Sequence, residues 1–266
     1  MHVTSRQNPV VKRFREAARP GRPGGSALLD GAHLIGEALD AAVALEVVAF
    51  SSETVERRHA ELAGRCRAAG AQVLTVAPSL LESMTPVSQS SGVAALARLE
   101  PARLADVLDA NAPQLVLILD RVQDPGNVGA IVRVAEACGA TGIIAGPGTA
   151  DPFGWKALRG SMGSAFRLPI AVAPSLGEAC LAAHDIGLTL FAAVPRDGTP
   201  IETASLGRPC AILLGGEGAG LAPELTAAAD EALTIPMRPP VESLNVSIAA
   251  ALVVYEAARQ RTHVAL

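Results

Sequence analysis

Residues Leu117–Gly146 read LILDRVQDPGNVGAIVRVAEACGATGIIAG. An apolar run, a turn of Asp, Pro and Gly, a segment with helical spacing and a second apolar run make a βαβ unit. Two strands joined in this way lie parallel, and the helix crosses one face of their sheet in the right-handed sense. The unit therefore commits the chain around it to a layered α/β architecture. Runs such as LVLIL and AILL fit that architecture, because parallel strands are covered on both faces and lose the polar alternation of half-exposed ones. Half of the 266 residues are apolar but only seven are aromatic, so Ala, Val, Leu and Ile must fill the core. The turn does not carry G-x-G-x-x-G, nor does an acidic residue follow at the distance a dinucleotide ribose needs. Both absences count against a Rossmann-type oxidoreductase.

Inside the unit, Asn127 has the character of a helix N-cap and Gly139 that of a C-terminal stop. Val128, Ile131, Val132, Ala135 and Cys138 share one helical face. Arg133 points about 160° from the centre of that face, toward solvent or a site.

Upstream, short apolar runs (SALLD, LEVVAFS, AQVLTVA, GVAALARL) alternate with helical stretches, one of them ETVERRHAELAGRCRAAG, ending at Gly70. This alternation predicts a smaller α/β domain over residues 1–103. Its leading segment is basic: Arg6, Lys12, Arg13, Arg15, Arg19 and Arg22 stand against Glu16 alone, in a chain whose net charge is −4. Such a segment suits RNA backbone contact or is simply a solvated tail. RPGRPGG (Arg19–Gly25) reads as a flexible joint, 104–112 as a linker with a helical part, and 113–266 as the second domain. Cys66, Cys138, Cys180 and Cys210 form no C-x-x-C and make no metal spacing with the five histidines. They read as buried thiols in a reducing compartment, with no metal site. With no signal peptide and no run long enough to span a bilayer, a cytoplasmic protein without membrane contact is expected.

Two further stretches carry polar groups among apolar neighbours. ILLGGEGAGL (Ile212–Leu221) runs from a buried strand into glycines 216, 218 and 220 around Glu217. The spacing serves either a tight turn or a loop whose backbone meets a ligand closely. IPMRPPVESLNVSIAAALVVYEAARQR (Ile235–Arg261) has a stiffened loop and then a helix from about Ser243. Ser243 and Asn245 flank Leu244 at the helix mouth, as caps or as hydrogen-bonding groups for a ligand. Leu244, Ile248, Leu252 and Tyr255 form an apolar stripe, destined for core or for an interface.

Taken in order, NVGAIVRVAEACG, GGEGAGL and IPM…SLNVSIAAA resemble the three motifs of the SpoU, or TrmH-type, RNA ribose 2′-O-methyltransferases of the SPOUT superfamily. SMGSAFRLPI (Ser161–Ile170) is similar to that family too, and the likeness spans about 113–262. The first domain, with its SRQNPVVKRFREAAR opening, resembles the ribosomal-protein-like substrate-binding domain often attached to it. The resemblance implies an α/β catalytic domain whose C-terminal part threads a deep trefoil knot. It implies S-adenosylmethionine as cofactor, held by the backbone around Leu214, Gly215, Gly216, Ile235, Met237, Ser243 and Leu244. It assigns Arg133 to the attacking 2′-hydroxyl, with Asn127, Glu217, Ser243 and Asn245 orienting it, the cofactor and the hydroxyl. Structured RNA, ribosomal in preference to transfer RNA, would be the substrate, and a homodimer the assembly. The alternative is an RNA-binding or ribosome-assembly factor that has lost turnover, against which the intact polar set argues. Pro239 is a departure: the family often has glycine two residues after IPM.

Overall fold

The computed structural model describes residues 2–22, 25–55, 58–87, 91–109 and 114–264. The chain forms two compact units, one of residues 1–100 with 153–166 and one of 101–152 with 167–266. Phe153–Phe166, which the sequence reading leaves in the second domain, thus packs within the first unit.

In the first unit, β1 (His2–Val3), β2 (Ser26–Asp30), β3 (Leu45–Ser51), β4 (Gln72–Val76) and β5 (Val93–Arg98) form a sheet of order β1-β4-β3-β5-β2. β5 runs antiparallel to both β2 and β3; the other pairs are parallel. Helices α1 (Pro9–Ala17), α2 (Ala32–Asp40), α3 (Ala60–Ala68) and α4 (Pro78–Glu82) complete this part of the chain.

The basic leading segment is an ordered helix and not a solvated tail. Asn8 caps α1 by accepting the Val10 N–H at 2.9 Å, and Pro9 opens the first turn. Val11, Phe14 and Ala17, at helical spacing, are buried against the sheet. Burying Phe14 alone contributes about 1.5–3 kcal/mol. Several of the basic side chains serve this packing. Arg13 pairs with Glu46, Arg15 donates to Ser83 O and Oγ at 2.9 and 3.0 Å, and the Arg22 guanidinium lies 5.5 Å from the Phe153 ring centroid. Of the proposed joint, Pro23 and Gly24 lie outside the described residues, and residues 19–22 form a hydrogen-bonded turn. The polar helix expected to end at Gly70 is confined to α3; Glu56 and Arg57, within the stretch expected to be helical, lie outside the described residues.

The second unit holds α5 (Leu104–Val107), β6 (Leu115–Asp120), α6 (Pro125–Ala137), β7 (Gly142–Ala145), β8 (Ile170–Val172), α8 (Leu176–Asp185), β9 (Thr189–Ala193), β10 (Thr199–Pro200), β11 (Cys210–Gly215), α9 (Pro223–Ala228), β12 (Glu231–Thr234) and α10 (Val246–Val264). The helix between β7 and β8, α7 (Trp155–Ser161), belongs to the first unit, where it packs on β2 and Trp155 meets the core. α5 lies in the expected linker but packs on β7 and β8; residues 110–113 of that segment lie outside the described residues.

Among the described residues the second unit has seven strands, all parallel, in the order β10-β12-β9-β11-β6-β7-β8. Every residue of β6 is buried, as a strand covered on both faces requires. β11 fills the slot between β9 and β6, and the chain then returns to the far side of β9 as β12. No helix among the described residues is long and apolar enough to cross a membrane.

Candidate active site

Strands β9, β11 and β12 are neighbours and end at the same edge of the sheet. Beyond their carboxyl ends lies a cavity of about 400 Å³. Ligands of open parallel sheets bind at that edge, because the loops leaving the strands diverge there. Ala193, Val194 and Pro195 come from the end of β9; Leu214, Gly215, Gly216 and Glu217 from β11; Leu233, Ile235 and Met237 from β12; and Ser243, Leu244 and Asn245 from the approach to α10. All seven residues expected around a cofactor therefore line one cavity.

Its glycine wall is backbone pressed on backbone. A Cβ at Gly215 would lie 2.2 Å from Gly220 and Leu221, and one at Gly216 only 1.9 Å from the Arg121 carbonyl oxygen. Gly218 and Gly220 have φ of +87° and +65°, a region side chains disfavour. Contact at Gly215 and Gly216 and positive φ at Gly218 and Gly220 favour glycine at each position, so the glycines satisfy both readings their spacing allowed: tight turn and close approach.

Asn127 is not the cap of α6. Asp124 is: its Oδ1 accepts the N–H groups of Gly126 and Asn127 at 2.6 and 3.1 Å, with Pro125 in the first turn. The Asn127 side chain is thereby left for other work. Its Nδ2 donates to Glu217 Oε1, and its Oδ1 accepts from Asn245 Nδ2 at 3.2 Å. Asn245 is in turn fixed, since its Oδ1 accepts the N–H of Ser247 at 2.9 Å and of Ile248 at 3.4 Å at the start of α10. Asn245 is thus both a cap and a member of the site. One chain of hydrogen bonds, Glu217–Asn127–Asn245, ties together three segments separated by 90 and 118 residues. At the other end of α6, Gly139 does act as the expected stop. Its φ is +77°, and Gly139 and Ala140 donate to Glu136 and Ala135.

Ser243 lines the cavity and is exposed. Arg133 is not part of the bonded chain. It lies six residues past Asn127, about 9 Å along the axis of α6, and is exposed, with no hydrogen bond or ion pair among the described residues. Pro239 does not line the main cavity; it borders a neighbouring one of about 310 Å³ that shares Pro195, Ile235 and Met237.

Sequence reasoning missed the β9 end, Ala193–Pro195. The strand was visible as LTLFAAV, and the rule that ligands lie at carboxyl ends would have pointed to the residues after it. Of the two fates open to the apolar stripe on α10, core is excluded for its last three members. Ile248, Leu252 and Tyr255 are 53%, 41% and 64% exposed, while Val246, Ala250, Val253, Val254 and Ala257 form the buried face.

Comparison with known proteins bears on this geometry. The model of the SpoU rRNA Methylase family matches residues 114–255. An uncharacterized tRNA/rRNA methyltransferase of Synechocystis sp. is 34% identical over 261 residues, 97% of this chain and 94% of that protein. The 23S rRNA (guanosine(2553)-2′-O)-methyltransferase RlmP of Bacillus subtilis is 31% identical over 228 residues, 86% of each chain. Among solved structures, the AdoMet-bound rRNA methyltransferase of Sinorhizobium meliloti superposes with a TM-score of 0.85 at 30% identity over 97% of each chain. The SpoU methyltransferase AviRb of Streptomyces viridochromogenes, in complex with AdoMet, gives 0.87 at 26% identity over 96% of this chain and 99% of that one.

Proposed function

The chain belongs to the SpoU rRNA methylase family, and from that premise we propose that it transfers a methyl group from S-adenosylmethionine to a ribose 2′-hydroxyl, on ribosomal RNA in preference to tRNA. The observation that carries the reading is the Glu217–Asn127–Asn245 chain beside a glycine-walled cavity. The cavity fits the cofactor. Its volume suits a ligand of that size, its walls are largely apolar with open backbone groups, and Glu217 offers a carboxylate to a cationic ligand. Leu214–Gly216, Ile235, Met237, Ser243 and Leu244 would hold it. Bound there, it supplies an electrophilic methyl carbon.

The chain's own residues supply placement and charge. A guanidinium donates hydrogen bonds and accepts none, so Arg133 is not the general base. Its work is to hold the neighbouring phosphate and to stabilise negative charge growing on the 2′-oxygen, whose proton passes to solvent as S-adenosylhomocysteine leaves. Asn127, fixed on both sides, holds Glu217 against α6 so that the cavity mouth keeps one geometry for attack. The reading as a factor without turnover is weaker, because such a factor has no use for a bonded chain at the mouth of an open cavity.

RNA is gripped in part by the first unit. Arg6, Lys12, Arg13 and Arg19 are exposed, Lys12 pairing with Glu16 and Arg13 with Glu46, whereas Arg15 and Arg22 are spent on packing. A second copy of the chain covers Ile248, Leu252 and Tyr255, an apolar strip that solvent disfavours. Tyr255→Glu should then halve the sedimenting mass at micromolar concentration. The slotting of β11 between β9 and β6, with α10 packed back on α6, supports a chain threaded as a trefoil knot. The four free thiols suit a cytoplasmic protein.

The test is transfer of label from S-adenosylmethionine to unmodified ribosomal RNA and tRNA transcripts, with Arg133→Ala alongside. Label should depend on Arg133 and make the linkage 3′ to it resist alkali. Label recovered on a base, or on an alkali-labile linkage, would sink the ribose assignment.

A further inference from the structure

Asp120 and Arg121, at the end of β6, have no part in the reading above, yet both carry costs. Arg121 is one of the few non-glycine residues with positive φ, at +53°, and its Nε is buried without a hydrogen-bond partner. Asp120 is an acidic side chain in a strand otherwise apolar, and only 5% exposed. Costs of this kind persist where the surrounding structure makes use of them.

The use is visible in what they hold. The Asp120 carbonyl accepts the Gly216 N–H at 2.8 Å. Its carboxylate Oδ2 accepts the Ala222 N–H at 2.9 Å, and Arg121 Nη2 donates to the same oxygen at 3.0 Å. Arg121 Nη2 also reaches the Gly220 carbonyl at 3.5 Å. Gly216 sits directly on the Arg121 carbonyl, as the 1.9 Å approach of a Cβ there shows. The tied points, 216, 220 and 222, bracket Glu217 and both left-handed glycines. The same two residues lead, after Val122 and Gln123, into the Asp124 cap and Asn127.

We propose that Asp120 and Arg121 are positioning residues of the cofactor cavity: they clasp the glycine-rich loop at both arms and set Glu217 against Asn127. The inference rests on the cavity being the S-adenosylmethionine site. Its physical basis is entropic. A loop of glycines has more conformations to lose than any other sequence. Every conformer outside the bound one weakens binding by the fraction of molecules it occupies. Bonds to the buried Asp120 carboxylate, backed by the half-exposed Arg121 guanidinium, remove those conformers before the ligand arrives.

A merely structural role is separable because φ at residue 121 suits glycine. Arg121→Gly relieves the left-handed strain and the buried Nε, keeps the carbonyl under Gly216, and removes the clasp together with the side chain's packing at Gly148. We expect the full-length variant to stay folded, with Tm lowered by no more than about 4 °C for the lost partner of Asp120, and to bind S-adenosylmethionine about fivefold more weakly by calorimetry, with KM for RNA unchanged. Asp120→Ala should weaken cofactor binding about tenfold or more, and Asp120→Asn, which keeps an oxygen for the Ala222 N–H, should recover part of the loss. Wild-type affinity in Arg121→Gly overturns the proposal, even if Asp120→Ala fails to fold. Wild-type protein that does not bind S-adenosylmethionine at all overturns the site assignment as well, and the wild-type titration alone tells the two failures apart.

Discussion

The bonded chain Glu217–Asn127–Asn245 makes a quantitative prediction through a double-mutant cycle. Asn127→Ala removes the donor to a carboxylate and the acceptor of a second amide. A hydrogen bond to a charged group contributes about 1.5–3 kcal/mol and a neutral one about 0.5–1.5 kcal/mol. Asn127 is half-buried, so the low end applies, and the loss should be about 2 kcal/mol. If that loss falls on the transition state, kcat/KM drops about 30-fold. Glu217→Ala breaks the first of these bonds from the other side. Because the two substitutions remove the same bond, the double variant should lose less than the sum of the two single losses, by a coupling of about 1–2 kcal/mol. The assay is label transfer to an RNA transcript at sub-saturating cofactor, with thermal unfolding followed in parallel. Strictly additive losses would refute the reasoning, since they would mean that Asn127 and Glu217 act separately and that their contact is incidental.

Three more predictions test the scaffold. Gly216→Ala places a methyl against the Arg121 carbonyl, where backbone on both sides leaves no room; it should cost about 2–3 kcal/mol or more in chemical denaturation, while Gly64→Ala in α3, where a Cβ meets nothing within 4 Å, should be neutral or stabilising. Phe14→Ala, at a fully buried position of α1, should destabilise the first unit by about 3–5 kcal/mol, seen as early loss of hydrogen-exchange protection in β2 and β5. The Asp230 carboxyl is held below the ordinary aspartate range, first by the Leu190 N–H and also by His184. A depressed carboxyl contributes stability above its unfolded value, about 3.9, and loses it as pH falls through the folded one. Asp230→Asn should therefore lower Tm at pH 7, with the gap to wild type closing below about pH 3–4; a gap of constant size from pH 7 to pH 3 would count against the assignment.

What the sequence disclosed follows from range. β6, α6 and β7 were readable because each is set by its own residues and by neighbours a few positions away. The cap of α6 was misplaced because Asp124 and Asn127 are both capping types; Pro125, at home in a first turn, was the signal for Asp124. α1 was hidden by charge, although Asn8-Pro9 and the Val11, Phe14, Ala17 spacing were present. α8, absent from the reading, begins with a Ser175-x-x-Glu178 signature whose hydroxyl accepts the Glu178 N–H. Periodicity could not say which of the two apolar faces of α10 is buried. The site divides in the same way. Each motif was visible, but the bonds from Asn127 to Glu217 and Asn245 span most of the second unit, and no spacing rule reaches that far. Only the family resemblance put those residues together.

The first unit is built from two stretches of chain, and synthesis delivers them apart. Phe153, which the Arg22 guanidinium covers, and Trp155, which meets the core, are made long after β5. At about 5–20 residues per second, residue 166 follows residue 100 by roughly 3–13 s. During that interval the nascent sheet must wait with the flank that α7 will cover still bare to solvent or to a chaperone, while β6, α6 and β7 are already leaving the ribosome. The order of assembly therefore runs against the order of translation: the amino-terminal unit is completed only after the second one has begun.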